Sequence, residues 1–351
     1  MLTSLKVYSP GYQAVEWGFA HQQCADFDTV MQQPHKIAVL PVFYNNPTGF
    51  AWNPAFENLT LEKFDLVLFT DIEFRTQKQI CEWINTINCP PYLLCIGGLH
   101  KGESKSDRVV YRPYWSFNFL QWAKYKEVWT DQRPFLFDCL FGARREHRDY
   151  VMLALQNSNL LDQSIVNYRD VFLGNTLDCV TDRVQAEFPT VEMHYPYVSP
   201  NLDPAWEVSS KIDNTISHHV PWEIWQRCYY HILVETLGTG ADTFFMSEKA
   251  GRAFYAKRMF VHFGTVGYLA GLKHLGFETF GSVLDESYDV IQDDIKRWHC
   301  AFEQVKFLSQ QNHPVIMHQV RPIVDHNHNR LLELKQELLK RMQSMIYANL
   351  K

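Results

Sequence analysis

The sequence predicts an α/β fold built as two Rossmann-like units in succession, facing a ligand cleft. Three observations predict it. Short continuous apolar runs recur, as parallel strands buried on both faces require. Amphipathic helical patterns separate them. The alternation then starts afresh near Arg133, after a polar and aromatic connection over residues 105–133. A chain of 351 residues is long enough for two such units. The expected division is an N-terminal α/β domain over 1–130, a C-terminal α/β domain over 131–310 and a helical segment over 311–351.

In order, "KIAVLPVFY" (36–44) and "FDLVLFTDIEF" (64–74) read as strands, the second ending in polar residues. "TQKQICEWINTI" (76–87) reads as a helix, and "PYLLCIGGLHKGE" (91–103) as a buried strand entering a glycine turn. In the second unit "RPFLFDCLF" is a strand. A loop follows, then a helix around 150–155 and a strand over 164–168. Residues 174–220 are irregular, with "HYPYVSPNLDP" a loop. "PWEIWQRC" is a short helix opened by Pro221, and 229–236 is a strand. A strand–helix–strand pattern fills 243–264, "VGYLAGLKHLGF" (266–277) reads as another helix, and "LLELKQELLKRMQSMIYANL" (331–350) as a long amphipathic helix.

Composition narrows the function. Hydrophobic residues make up 46% and aromatic residues 15%, enough for large cores. The net charge is -6, so there is no global basic field for nucleic acid. Anion recognition has to be local. Eight scattered cysteines with no Cys-x-x-Cys pair read as buried reduced thiols. No apolar run reaches the roughly 18 residues of a membrane span, and the first residues show no secretory pattern. The expectation is a cytoplasmic protein. Lys335, Lys340 and Arg341 leave a peripheral membrane contact open, against which Glu333 and Glu337 argue.

Two clusters carry possible chemistry. In "TFFMSEKAGRAFY" an apolar run stops at Ser247, a good N-cap, and Glu248 suits the first helical turn. Lys249 does not suit it: a cation there costs about 0.3–1 kcal/mol unless an anion is near. With Arg252 three residues on, the free N–H groups and cations form a pocket that fits a diphosphate, and Glu248 can accept from ribose or sugar hydroxyls. In "FGARREHRDY" a strand passes through Gly142 into Arg144, Arg145, His147 and Arg148, at an equivalent strand end. Arginine binds phosphate bidentately. The alternatives are solvated basic faces with local carboxylate partners.

The segment 229–289, with Glu235-Thr236, Ser247-Glu248-Lys249, Phe263-Gly264, Gly267-Tyr268-Leu269, Leu275-Gly276-Phe277 and Asp285-Glu286-Ser287-Tyr288-Asp289, resembles the nucleotide-sugar-binding region of GT-B glycosyltransferases. The likeness is to fucosyltransferase-like and related bacterial and phage enzymes. "FGARREHRDY…LLDQSIVNY" is similar to their arginine loop. About a quarter of the chain is covered. The resemblance implies that Glu248 and Lys249 contact ribose and diphosphate, and that Arg144, Arg145 or Arg148 stabilises the leaving phosphate. The sequence departs from the family after Glu-Lys, where Ala250-Gly251-Arg252 lacks the usual proline-containing stretch. The implied activity is metal-independent sugar transfer, with a GDP-sugar as first donor and a glycan or lipid-linked saccharide as acceptor. A non-catalytic glycan-binding or scaffold protein and a nucleotide-sugar epimerase are the alternatives.

A transferase also needs a base for the acceptor hydroxyl. Candidates in the first unit are Asp71 and Glu73 after one strand, and His100 or Glu103 after another. No cofactor is expected, and no metal: Asp71-Ile72-Glu73 is too weak a pattern, and His326 and His328 lack further ligands. Trp222 and Trp225, near His218, either line a sugar cleft or pack as a helix face.

Overall fold

The computed structural model describes residues 5–9, 17, 19, 21–45, 49–51, 60–71, 77–100, 106–121, 123–127, 129–130, 132–168, 179–202, 219–240 and 243–350. It divides into two compact units, one of residues 1–114 with 333–351, the other of 115–332. The expected boundary at 130 therefore falls at 114. The physical reason is local: Ser116 Oγ donates to the carbonyls of Met246 and Ser247 at 2.6 and 3.0 Å, and Phe119 packs edge-on to Tyr255 at 5.6 Å.

The first unit carries a six-stranded sheet of β1 (Val7–Tyr8), β2 (Cys24–Ala25), β3 (Ile37–Pro41), β4 (Leu66–Asp71), β5 (Tyr92–Ile96) and β6 (Val109–Tyr111). The order is β2-β1-β3-β4-β5-β6, and every pairing is parallel. Leu66, Val67, Leu68 and Phe69 are fully buried, as a strand covered on both faces must be. Each such side chain contributes about 1.5–3 kcal/mol. Helix α1 (Phe27–Met31) is capped by Asp26, whose carboxylate accepts Thr29 N–H at 2.8 Å. Helix α2 (Gln77–Ile84) buries Ile80 and Ile84, one turn apart.

The second unit carries β7 (Phe135–Phe141), β8 (Ser164–Tyr168), β9 (Tyr197–Val198), β10 (Cys228–Val234) and β11 (Phe260–Phe263) in the order β9-β8-β7-β10-β11. All neighbours are parallel except β8 and β9. Four helices matter for the site: α3 (Glu146–Asn157), α4 (Glu248–Tyr255), α5 (Tyr268–His274) and α6 (Asp294–Ser309). The first three end alike. A left-handed residue after the C-cap (Asn159, Lys257 or Gly276) lets the next N–H bond back to the last turn: Leu160 to Leu155, Arg258 to Ala253 and Phe277 to Leu272, at 3.0, 2.8 and 3.1 Å.

Fully buried in this unit, Asp138 on β7 accepts from His231 Nδ1 at 2.5 Å, Trp225 Nε1 at 2.9 Å and Arg258 Nη2 at 3.0 Å. Trp222 and Trp225 are 6% and 1% exposed, so they are packed rather than lining an open surface.

Helix α7 (His313–Asn349) runs through Pro322 and is longer than the pattern implied. Its apolar positions Leu331, Leu334, Leu338, Met342 and Ile346 are buried. His326 and His328 sit inside it, facing the carbonyls of Gly276 and Tyr255 at 2.9 and 2.7 Å. No cysteine is in a disulfide. Cys95, Cys139 and Cys228 are buried, while Cys179 is exposed, unlike the buried thiol expected there. Among the described residues no helix is long and apolar enough to cross a membrane.

Candidate functional site

In the second sheet, β8 and β9 lie to one side of β7 while β10 and β11 lie to the other. The chain order therefore reverses between β7 and β10. Open α/β sheets bind ligands outside the carboxyl ends of the strands at such a switch point. Two segments emerge there: Gly142–Arg145, leading into α3, and Glu235 onward, after β10.

Glu235 is 1% exposed and organises this end of the sheet. Its Oε1 accepts Tyr268 O–H at 2.6 Å and Ser247 N–H at 3.2 Å, and its Oε2 accepts Thr236 N–H at 3.1 Å. Its carbonyl accepts His147 Nε2–H at 2.9 Å and Arg148 Nη2–H at 3.4 Å. One residue thus touches the first turns of α3 and α5 and the N-cap of α4.

At the start of α4, Ser247 Oγ accepts Lys249 N–H at 3.2 Å. Lys249 Nζ donates to Glu248 at 2.8 Å and to Thr236 Oγ1 at 3.2 Å. Glu248 is thus an anion within reach of this lysine. Burial alone would raise the Glu248 carboxyl, but Lys249 and Arg252 overcome it and hold it at about 2. Arg252 is buried, donating to the carbonyls of Glu248 and His219 at 3.3 and 2.8 Å. Burial lowers its guanidinium, while Glu248 and Glu235 act in the opposite sense.

The three arginines of the first cluster part ways. Arg144 Nε meets both oxygens of Asp149 at 3.0 and 3.1 Å, and its guanidinium lies 4.8 Å from the Tyr195 ring centre. Arg148 donates to the carbonyls of Ala143 and Glu235, yet its buried Nε has no partner. Burial first, then the charge of Arg145, lowers it to about 10, against the pull of Glu248 and Glu235. Arg145 occupies the N-cap of α3 without a capping side-chain bond. Its buried Nε has no partner, and burial lowers its guanidinium. Its side chain makes no hydrogen bond or ion pair with the described residues. An uncapped helix start with an unneutralised arginine is a place for an anion.

Two imidazoles complete the region. His147 is held neutral by burial and by Arg148. A Cβ on Gly238 would fall 2.0 Å from its Nδ1, so only glycine lets that loop close on the ring. His262 stacks on Tyr268 with ring centres 3.8 Å apart, and burial keeps it neutral.

Arg145, Arg148, Ser247, Glu248, Lys249 and Arg252 therefore gather around one strand end of the second unit. Asp71 belongs to the first unit: it is buried at the carboxyl end of β4, its carbonyl accepting Gly97 N–H at 2.7 Å. Glu73, Glu103 and His218 lie outside the described residues, as does the side chain of His100, whose backbone is in the strand Leu99–His100. Among the described residues no group of His, Cys, Asp or Glu could hold a metal ion. Sequence reasoning gave no role to Glu235, His147 or Tyr268. A glutamate closing a largely apolar strand was the available signal for the first. The motif at 285–289 proves to be a scaffold: Asp289 accepts the N–H groups of Leu269 and Ala270 at 2.9 and 3.0 Å, and Glu286 accepts from Thr279 and Phe280 at 2.6 and 2.7 Å. No protein-family model matches the chain, and no curated protein matches it in sequence.

Proposed function

We propose that the protein is a glycosyltransferase of GT-B type that moves a sugar from a nucleotide-sugar donor, with a GDP-sugar as first choice. The observation that carries this reading is Arg145: an arginine with a buried, unpartnered Nε at an uncapped helix start, beside the switch point of a parallel sheet. Arg148 and the Lys249–Glu248 pair approach the same strand end. The two units are then the two Rossmann-like domains of such an enzyme.

In the reaction, the acceptor oxygen bonds to the anomeric carbon while the bond from that carbon to the diphosphate oxygen breaks. Negative charge grows on the diphosphate, and Arg145, with Lys249, stabilises it without calling on a metal. The acceptor proton passes to a base. Glu248 accepts from donor hydroxyls. The acceptor is a glycan or lipid-linked saccharide.

A non-catalytic glycan-binding protein of the same fold is the second reading. The pairing of Lys249 with Glu248 and Thr236 favours it, because that lysine is satisfied without a ligand.

The test is thermal stabilisation by GDP, UDP, CMP and dTDP, each with and without Mg²⁺. A nucleotide at about 100 times its dissociation constant adds about 2.7 kcal/mol. A shift with one nucleotide names the donor class. No shift with any of them moves the reading to the non-catalytic protein.

A further inference from the structure

We infer that Glu235 is the positioning residue of the anion site, fixing the start of α4 against the start of α3. The inference rests on the functional reading above. By simple electrostatics a carboxylate here is out of place, since it repels the diphosphate that Arg145 and Lys249 would attract. Its contacts explain its presence. Both carboxylate oxygens are occupied by donors, from Tyr268, Ser247 and Thr236, and the side chain is 1% exposed. Buried, with both oxygens engaged, it serves as a support and not as a ligand.

It acts through its neighbours. The Ser247 N–H it holds belongs to the N-cap residue of α4, two residues before Lys249. The Thr236 N–H it holds belongs to the residue whose Oγ1 accepts Lys249 Nζ. Its own carbonyl takes His147 and Arg148, next along α3 from Arg145. The lysine and the arginines are thus located relative to a single peptide unit and its side chain. Neutral groups cannot replace it: the amide of glutamine would turn an N–H₂ toward one of three donors.

Binding of inorganic pyrophosphate, measured by calorimetry well below the melting temperature, tests this with three variants. Lys249→Ala should lose affinity at least tenfold. Glu235→Gln should also lose about tenfold, the worth of one hydrogen bond, although it removes a negative charge. Tyr268→Phe keeps the ring that stacks on His262 and removes only the hydroxyl. It should lose affinity about threefold or more and lower the melting temperature by only a few degrees. A merely structural glutamate would lower the melting temperature and leave the affinity of the folded protein alone.

Tighter or unchanged binding in Glu235→Gln, with Lys249→Ala weakened, overturns the inference and spares the site. Unchanged affinity in Tyr268→Phe overturns it whether or not Glu235→Gln folds. Unchanged affinity in Lys249→Ala overturns the site itself.

Discussion

Arg144 and Asp149 form a buried pair, with the arginine Nε 3.0 and 3.1 Å from the two carboxylate oxygens. Asp149 also accepts the Tyr168 hydroxyl at 2.6 Å. The next residue, Arg145, has no such partner. Arg144→Ala should therefore destabilise the protein by about 3–5 kcal/mol, the cost of stranding a buried charge. Arg145→Ala should leave stability unchanged or raise it, since it removes an unneutralised, partly buried charge, and should weaken pyrophosphate binding. Urea denaturation and calorimetry on both variants separate the two roles.

The second buried charge cluster makes a parallel case. Arg258 donates to Asp138, to which His231 and Trp225 also donate. Asp138→Ala leaves Arg258 buried without its counter-charge, and about 3–5 kcal/mol of stability should be lost. A drop smaller than about 1 kcal/mol would show that water reaches the guanidinium.

Glu248 gives a pH signature. Its folded value, about 2, lies below the ordinary value of about 4.3. Its stabilising contribution is therefore fully present above about pH 4.3 and is lost as the pH falls toward 2. Stability curves of wild type and Glu248→Gln should diverge in slope in that window and run parallel at neutral pH. Parallel curves throughout would mean that the carboxylate is not held by Lys249 and Arg252.

Gly251 lies inside α4, where alanine would ordinarily gain about 1 kcal/mol. Here a Cβ would sit 2.2 Å from the Ser116 carbonyl oxygen. Backbone cannot yield cheaply, so Gly251→Ala should lower the melting temperature. A rise would show that segment 115–121 is free to move away.

Asp289 caps α5 by accepting two N–H groups. Asp289→Ala should cost about 0.5–2 kcal/mol by thermal or urea unfolding. Asn should recover part of it.

The strands were legible because parallel sheets demand unbroken apolar runs: "IAVLP", "LVLFTD" and "SIVNY" all became strands close to where the runs lie. A helix start with a local signal was legible too, at the N-cap Ser247. Residues held by distant partners were not. Nothing near Arg144 distinguishes it from Arg145; the difference is made by Tyr195 and by the orientation of α3. Glu235 looked like a strand end because its donors come from residues 236, 247 and 268. The left-handed Lys257 was hidden for the opposite reason: glycine and asparagine advertise that conformation, and lysine does not.

The division of the chain at 114 and 333 bears on its synthesis. The second unit is one continuous stretch, so all of it has been made before the first unit has its last residues. Domains emerging from the ribosome tend to fold as units once complete. The N-terminal part, with the apolar strands "IAVLP" and "LVLFTD" already made, then still lacks the end of α7. Arrest of translation after residue 332 would leave a nascent chain whose second unit is complete and whose first unit still lacks residues 333–351.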